Sequence, residues 1–152
     1  MLKAGATAPA FSLPSDRGTT VALKDLRGKK VVLYFYPKDD TSGCTTEACE
    51  FRDSWKAVQK AGAVVLGVSP DDVASHVRFG RKFDLPFPLL ADEGHEVAEA
   101  YGVWGEKSMY GRKYHGILRT TFIIDNSGIV ARVFEKVTPK GHAAEVLAAL
   151  GG

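Results

Sequence analysis

The chain has 152 residues, a net charge of +2 and 45% hydrophobic residues, which is typical of a single globular domain over residues 1–152. The near-neutral charge gives no reason to expect nucleic acid as a partner, the apolar runs are too short to span a membrane, and the first residues do not form a signal peptide. Two cysteines are too few for a disulfide scaffold, so we expect a cytoplasmic protein with reduced thiols.

The predicted elements begin with a β-hairpin and continue with alternating strands and helices. In chain order they are an extended segment Ala4–Pro14, the strands Thr19–Leu23 and Val31–Tyr36, a helix Cys44–Lys60, the strand Ala63–Ser69, a helix from Pro70 to Phe83, a short strand Leu85–Leu90, a helix Glu93–Tyr101, a loop Gly102–Gly116, the strands Thr120–Ile124 and Ile129–Phe134, and a helix Lys140–Leu150. This order predicts an α/β, thioredoxin-like fold, with a central mixed sheet flanked by helices and an N-terminal β-hairpin extension.

The segment Gly102–Gly116 is polar and aromatic, and we predict a surface loop beside the functional site. Its residues Trp104, Met109 and Tyr110 could border an opening for substrate or could simply pack against the domain. The sequence does not decide between these two interpretations.

Both cysteines lie in the first turns of the predicted helix Cys44–Lys60. The apolar positions of this helix repeat at spacings of four and three and are Cys44, Ala48, Phe51, Trp55 and Val58. Cys44 is therefore expected to face the core, whereas Cys49 lies on the polar flank. Residues five apart on a helix have Cα atoms about 8–9 Å apart, and a disulfide needs less than about 7 Å. A bond between these two cysteines would require the start of the helix to unwind.

Cysteine reacts as the thiolate, and the positive end of a helix favours that form. The helix dipole stabilises the thiolate by only about 1 kcal/mol, which is too little to ionise most of the thiol at neutral pH. We therefore expect an arginine beside the sulfur. The candidates are Arg52, Arg112 and Arg119, and the sequence does not choose among them. Glu47, three residues after Cys44, would disfavour the thiolate unless a cation holds it.

The segment Pro37-x-x-x-Thr41-x-x-Cys44, with Arg119 just before the strand Thr120–Ile124, resembles the active-site signature of the peroxiredoxins. Further segments are similar to the bacterioferritin comigratory protein (Q-type) branch of that family; they are Asp39–Cys49, Ser69–Asp71, Leu85–Asp92 and Tyr101–Arg112. The resemblance extends over nearly the whole chain.

This resemblance implies an antioxidant enzyme that reduces hydrogen peroxide and organic hydroperoxides. Cys44 would be the peroxidatic thiolate that becomes a sulfenic acid, and Thr41 would orient the peroxide. Arg119 would stabilise the thiolate and the leaving oxygen, and Pro37 would shield the sulfur from water. Glu47 would be held by an arginine of the same network.

The resemblance also implies the second half of the cycle. Cys49 would be the resolving thiol that forms an intrachain disulfide with Cys44 after the helix start unwinds, and a thioredoxin-type protein would reduce that disulfide. The family carries no metal, haem or flavin, so no cofactor is expected. The expected partners are a hydroperoxide and a thioredoxin-type reductant, without nucleic acid or membrane, and the protein would be a monomer or weak homodimer.

Two other functions explain less of the sequence. A thioredoxin-like disulfide reductase would carry C-x-x-C, whereas these cysteines are spaced C-x4-C, and no proline precedes Thr120 where such reductases carry one. A zinc site would combine the cysteines with histidines, but the histidines share no ligand spacing. The four histidines are more simply surface or packing residues: His76, His95, His115 and His142.

Overall fold

A computed structural model describes residues 1–151 of the chain. Its strands are Ser12–Pro14 (β1), Thr20–Ala22 (β2), Lys30–Phe35 (β3), Ala63–Ser69 (β4), Leu89–Ala91 (β5), Trp104–Met109 (β6), Arg112–Ile117 (β7), Thr120–Ile124 (β8) and Val130–Phe134 (β9). Its α-helices are Ser42–Asp53 (α1), Trp55–Lys60 (α2), Val73–Lys82 (α3), Glu96–Ala100 (α4) and His142–Ala149 (α5). A 3₁₀ helix also spans Leu23–Leu26. Within the described part of the chain, no helix is both long and apolar enough to cross a membrane.

The central sheet has five strands in the order β5-β4-β3-β8-β9. Strands β3, β4 and β5 run parallel to one another, and β8 pairs antiparallel with both β3 and β9, so the predicted mixed sheet is confirmed. The predicted N-terminal hairpin is also confirmed, because β1 and β2 pair antiparallel in a sheet of their own. These features together form the predicted thioredoxin-like arrangement.

Strand β3 lies at the centre of the sheet and supplies side chains to both cores. Val32 and Tyr34 face the core formed with α1, α2, α3 and α5, while Leu33 and Phe35 face the core formed with α4 and the N-terminal segment. Tyr34 stacks on Phe51 of α1 with ring centroids 5.0 Å apart. This contact holds α1 against the sheet and so positions the first turn of that helix.

The predicted helix Cys44–Lys60 is divided in the structure into α1 and α2. The division is at Ser54, whose backbone angles are φ −95° and ψ 5°. Its N–H still donates to the Glu50 carbonyl, and its own carbonyl accepts from Val58, so the chain bends there without leaving its helical path. The predicted apolar face is confirmed: Cys44, Ala48, Phe51 and Val58 are buried, and Trp55 is partly buried.

The predicted loop Gly102–Gly116 is wrong, because β6 and β7 form an antiparallel hairpin there. Tyr110 and Gly111 make its two-residue turn, and both have positive φ, 52° and 78°, as hairpin turns of this kind require. Most of the hairpin is exposed on both faces. An exposed hairpin does not need the alternation of apolar and polar residues by which strands are usually detected.

Helix α3 begins three residues later than Pro70 predicts. Asp72 is its N-cap and accepts a hydrogen bond from the Ser75 N–H at 2.8 Å. Asp71 instead accepts hydrogen bonds from the Ser69 hydroxyl and the Asp39 N–H. Residues 70 and 71 therefore belong to the connection from β4 and not to the helix.

Candidate active site

The two cysteines lie just after the loop that joins β3 to α1. Thr41 is the N-cap of α1, and its carbonyl accepts the Thr45 N–H at 2.8 Å. Cys44 is the third residue of the helix and is only 1% exposed. Pro37 is half-buried directly after β3 and Tyr36. The predicted position of Cys44, on the core side of the first helical turn, is where the structure has it.

Among the three candidate arginines, the structure brings Arg119 to the sulfur. Its Nη2 donates to Cys44 Sγ at 3.2 Å, and its Nη1 donates to Glu47 Oε1 at 2.6 Å. Arg52 donates to the Phe83 carbonyl and to Asp53, and Arg112 lies exposed on β7. A guanidinium donor beside a sulfur favours its thiolate form, so this contact suits a nucleophilic cysteine.

Glu47 balances the charge of Arg119 inside the protein. Its side chain is fully buried, and Oε2 accepts no hydrogen bond from any residue in the range 1–151. Burial raises the pKa of Glu47 from 4.5 to about 7 although the charge and hydrogen bond of Arg119 lower it. The carboxylate is therefore held at an energetic cost, and the resulting network joins Cys44, Arg119 and Glu47.

The raised pKa of Glu47 predicts how the stability of the folded protein changes with pH. The folded protein resists ionising Glu47, so wild-type stability should fall as the pH rises from 4.5 to about 7. Glu47→Gln removes the ionisation and should gain up to roughly 3 kcal/mol over the wild type across that window. Urea unfolding at about pH 5 and about pH 8 measures the difference. Glu135→Gln, at an exposed carboxylate, is the control, and an equal pH-dependent gain there would contradict the prediction.

Both thiols are free in the structure, and the helix between them is continuous. Cys49 is half-buried and lies five residues, or about 1.4 turns, along α1 from the buried Cys44. At this spacing the Cα atoms are about 8–9 Å apart, beyond the reach of a disulfide. The described conformation is thus one in which the two sulfurs cannot bond to each other.

Thr41 has a hydroxyl at the surface that donates to the Lys38 carbonyl at 2.9 Å. Its oxygen keeps its capacity to accept a hydrogen bond from another molecule. Gly43 is packed closely: a Cβ there would lie 3.2 Å from Pro139 Cγ and 3.4 Å from Arg119 Nη2. The helix start is therefore enclosed by Arg119 on one side and by the segment before α5.

Three contacts near the site were not predicted from the sequence. The Gly141 N–H donates to Glu50 Oε1 at 2.8 Å, which ties the start of α5 to α1. Lys107 of β6 donates to the Ile117 carbonyl at 2.9 Å; burial lowers its pKa, and the charge of Arg119 lowers it further. Asp39, in the loop before α1, pairs with His76 at 2.7 Å. Two of these contacts join residues that are 91 and 37 positions apart in the chain. The third lies within the hairpin, which only the turn residues around Gly111 could have indicated.

Of the three aromatic or apolar residues in segment 104–110, the structure packs one against the domain and exposes the other two. Trp104 stacks on His95 with ring centroids 3.8 Å apart, so it is a packing residue. Met109 and Tyr110 are 55% and 98% exposed at the hairpin tip. The packing interpretation therefore fails for Met109 and Tyr110, and the interpretation of the segment as the border of a substrate opening stays a prediction.

The alternative of a zinc site receives no geometric support. Among residues 1–151, the only group of potential ligands close enough to share an ion is Asp39, Asp71 and His76, which includes neither cysteine. The side-chain atoms of that group already hydrogen-bond to protein atoms. His142 is likewise buried and bonds to Thr121 Oγ1 at 2.7 Å.

Comparisons with known proteins point to one family. Residues 4–133 match the model of the AhpC/TSA family. Peroxiredoxin Bcp of Bacillus subtilis is 49% identical over 149 residues, which cover 98% of this chain and 95% of the relative. Peroxiredoxin Bcp of Escherichia coli K12 is 48% identical over 146 residues, which cover 96% of this chain and 94% of the relative.

Solved structures give the same result. Peroxiredoxin Q of Xanthomonas campestris superposes with a TM-score of 0.90 at 42% identity, covering 99% of this chain and 95% of that one. A structure of the bacterioferritin comigratory protein of the same organism, described for its alkyl peroxide reduction activity, superposes with a TM-score of 0.90 at 41% identity, covering 99% of this chain and 96% of that one. The chain therefore belongs to the AhpC/TSA family, in the Bcp or Q branch of the peroxiredoxins.

Proposed function

We propose that the protein is a thiol peroxidase that reduces hydrogen peroxide and organic hydroperoxides at Cys44. The observation that carries this proposal is the hydrogen bond from Arg119 Nη2 to the buried Cys44 Sγ, 3.2 Å long, at the start of α1. The alkyl peroxide reduction described for the Xanthomonas relative supports organic hydroperoxides as substrates. Disulfide reductases of this fold use the C-x-x-C spacing, which the chain lacks.

In the first step the Cys44 thiolate attacks the terminal oxygen of the hydroperoxide. An S–O bond forms as the O–O bond breaks, the leaving oxygen takes up a proton as water or an alcohol, and Cys44 becomes a sulfenic acid. The guanidinium of Arg119, which donates to Cys44 Sγ, would stabilise the charge that moves from sulfur to oxygen. The Thr41 hydroxyl, whose proton is donated to Lys38, would accept a hydrogen bond from the peroxide. Pro37 would limit the access of water.

In the second step the Cys49 thiolate attacks the sulfenic sulfur of Cys44. An S–S bond forms, hydroxide leaves and is protonated to water, and the first turns of α1 must unwind for the two sulfurs to meet. A dithiol of the thioredoxin type then reduces the disulfide by exchange. All electrons pass through cysteine sulfur, so the scheme uses no metal, haem or flavin. We propose that this cycle takes place in one domain over residues 1–152, of which Gly152 lies outside the described residues. We also propose that the protein is a cytoplasmic monomer or weak homodimer.

The experiment that tests the function is NADPH consumption with thioredoxin and thioredoxin reductase, using hydrogen peroxide and an alkyl hydroperoxide as substrates. The wild type should turn over both. Insulin reduction by dithiothreitol, measured on the same preparation, should not be accelerated. Insulin reduction without peroxide turnover would identify a disulfide reductase and overturn the proposal.

Cys49→Ser should separate the two steps. The variant should consume one equivalent of peroxide as the wild type does, because Cys44 and Arg119 are unchanged, but should lose turnover with the thioredoxin system. Added dithiothreitol should restore turnover, since a small thiol can reduce the sulfenic acid directly. Wild-type turnover by the variant with thioredoxin alone would exclude Cys49 as the resolving thiol.

A further inference from the structure

A buried polar cluster fastens the loop that leads into the active-site helix. Asp39 is 7% exposed, and its carboxylate accepts hydrogen bonds from the Tyr36 hydroxyl at 2.6 Å, the Ser75 hydroxyl at 2.8 Å and His76 Nδ1 at 2.7 Å. Its N–H donates to Asp71 Oδ2 at 2.8 Å. These partners come from the residue that follows β3, from α3 and from the β4–α3 connection. Asp39 thus ties three elements together.

His76 is fully buried and both of its ring nitrogens face acceptors. Nδ1 meets the Asp39 carboxylate, and Nε2 lies 2.9 Å from the Leu90 carbonyl oxygen. The Asp39 carboxylate and the Leu90 carbonyl both accept a hydrogen bond at once when both ring nitrogens carry a hydrogen, which is the imidazolium form. Burial lowers the pKa of His76, but the hydrogen bond and charge of Asp39, with smaller contributions from Leu90 and Asp71, raise it above its ordinary value of 6.5. The other titratable group beside the ring is the Tyr36 hydroxyl, 3.4 Å from Nδ1.

Asp39 is connected to the residue that carries the reactive sulfur, Cys44, through a short stretch of hydrogen-bonded backbone. Lys38 accepts a hydrogen bond from the Thr41 hydroxyl, and Thr41 in turn accepts the Thr45 N–H in the first turn of α1. Asp40, between them, has a positive φ of 56°, which few non-glycine residues adopt unless their surroundings impose it. The residues after Asp39 are therefore hydrogen-bonded into the first turn of α1, which carries Cys44.

We propose that the buried Asp39–His76 ion pair positions Cys44 against Arg119, and that loss of the His76 proton loosens the site. This inference rests on the proposed peroxidase function. Neither residue contacts the sulfur, so both are positioning residues.

The pair makes oxidation of Cys44 sensitive to alkaline pH. When His76 loses a proton, one of its nitrogens faces an oxygen without a hydrogen between them, and the hydrogen bond becomes a repulsion. The stability contributed by the pair is complete below pH 6.5, the ordinary value for the unfolded chain, and is lost as the pH rises through the higher pKa of the folded protein. The rate of Cys44 oxidation should therefore fall at high pH, whereas ionisation of a thiol alone can only increase the rate as the pH rises.

The experiment is a stopped-flow pH profile of Cys44 oxidation by hydrogen peroxide, from about pH 5.5 to about pH 9, for four proteins. His76→Leu should be about tenfold to a hundredfold slower than the wild type at neutral pH, because a shift of about 1 Å in a reacting group can cost a hundredfold. His76→Asn keeps a donor near the position of Nδ1 that does not titrate, so it should recover most of the rate and lose the alkaline fall. His115→Asn, at an exposed histidine of β7, is the matched control and should keep the wild-type profile.

Three outcomes would overturn the inference. A folded His76→Leu variant with the wild-type rate would show that the pair does not position Cys44, and an unchanged alkaline fall in His76→Asn would show that His76 is not the titrating group. If the leucine variant does not fold, NMR titration of the wild-type His76 ring decides, and a pKa below 6.5 would exclude the ion pair. A wild type that consumes no peroxide would instead contradict the proposed function, so the two failures are distinguishable.

Discussion

Replacing Cys44 by serine is expected to abolish peroxide reduction. A serine hydroxyl is not ionised at neutral pH, and the proposed site contains no histidine or carboxylate positioned to take its proton: Glu47 is engaged with Arg119. The fold should be retained, because serine is close to cysteine in size and the guanidinium of Arg119 can donate to its oxygen. Peroxide consumption measured in a single turnover, with circular dichroism to confirm folding, checks this expectation.

Cys49→Ser is the matched control for this variant, because it removes the other thiol and leaves the first step intact. If Cys44→Ser kept its turnover, the peroxide would have to react at the half-buried Cys49. The assignment of roles to the two cysteines would then be reversed, and the contact between Arg119 and Cys44 would need another explanation.

Arg119→Met should slow the oxidation of Cys44 by about a hundredfold to a thousandfold, the usual cost of removing a donor that stabilises developing charge. Arg119 donates to both Cys44 Sγ and Glu47 Oε1, so methionine removes the stabilisation of the thiolate and leaves a buried carboxyl without its cation. Arg119→Lys should retain part of the rate, because an ammonium supplies charge but does not have the fork geometry that spans two acceptors.

Stopped-flow kinetics with hydrogen peroxide measures these rates, and the pH dependence of alkylation by iodoacetamide reports the thiolate directly. Arg112→Met is the matched control on the exposed strand β7, and it should react as the wild type does. If Arg119→Met were oxidised as fast as the Arg112 variant, the guanidinium would be structural and not part of the chemistry.

The central sheet could be predicted from the sequence because its strands carry continuous apolar runs. Ala63–Ser69 and Thr120–Ile124 have the predicted bounds, and β3 differs from Val31–Tyr36 by one residue at each end. The hairpin of β6 and β7 could not be found in this way, since exposure of both faces removes the constraint that places apolar residues at alternate positions. The bend at Ser54 also escaped prediction, because hydrogen bonding continues through it.

At the candidate active site, the sequence predicts the position of a residue within its own helix but not its contacts with residues far away in the chain. The placement of Cys44 on the buried face of α1 follows from helical spacing alone. The choice of Arg119 needs the fold, because 75 residues separate it from the cysteine. The Asp39–His76 pair was missed for the same reason: its members are 37 residues apart, and neither is unusual in its own segment.

We propose that one peroxide converts Cys44 and Cys49 into an intrachain disulfide through unwinding of α1. Intact-mass spectrometry of the reduced protein after one equivalent of hydrogen peroxide tests it most directly, followed by peptide mapping without reduction. We expect the wild type to lose the mass of two hydrogens and to yield a peptide in which Cys44 is linked to Cys49. A protein that gains the mass of one oxygen and forms no disulfide, or a disulfide between two chains, would contradict this proposal.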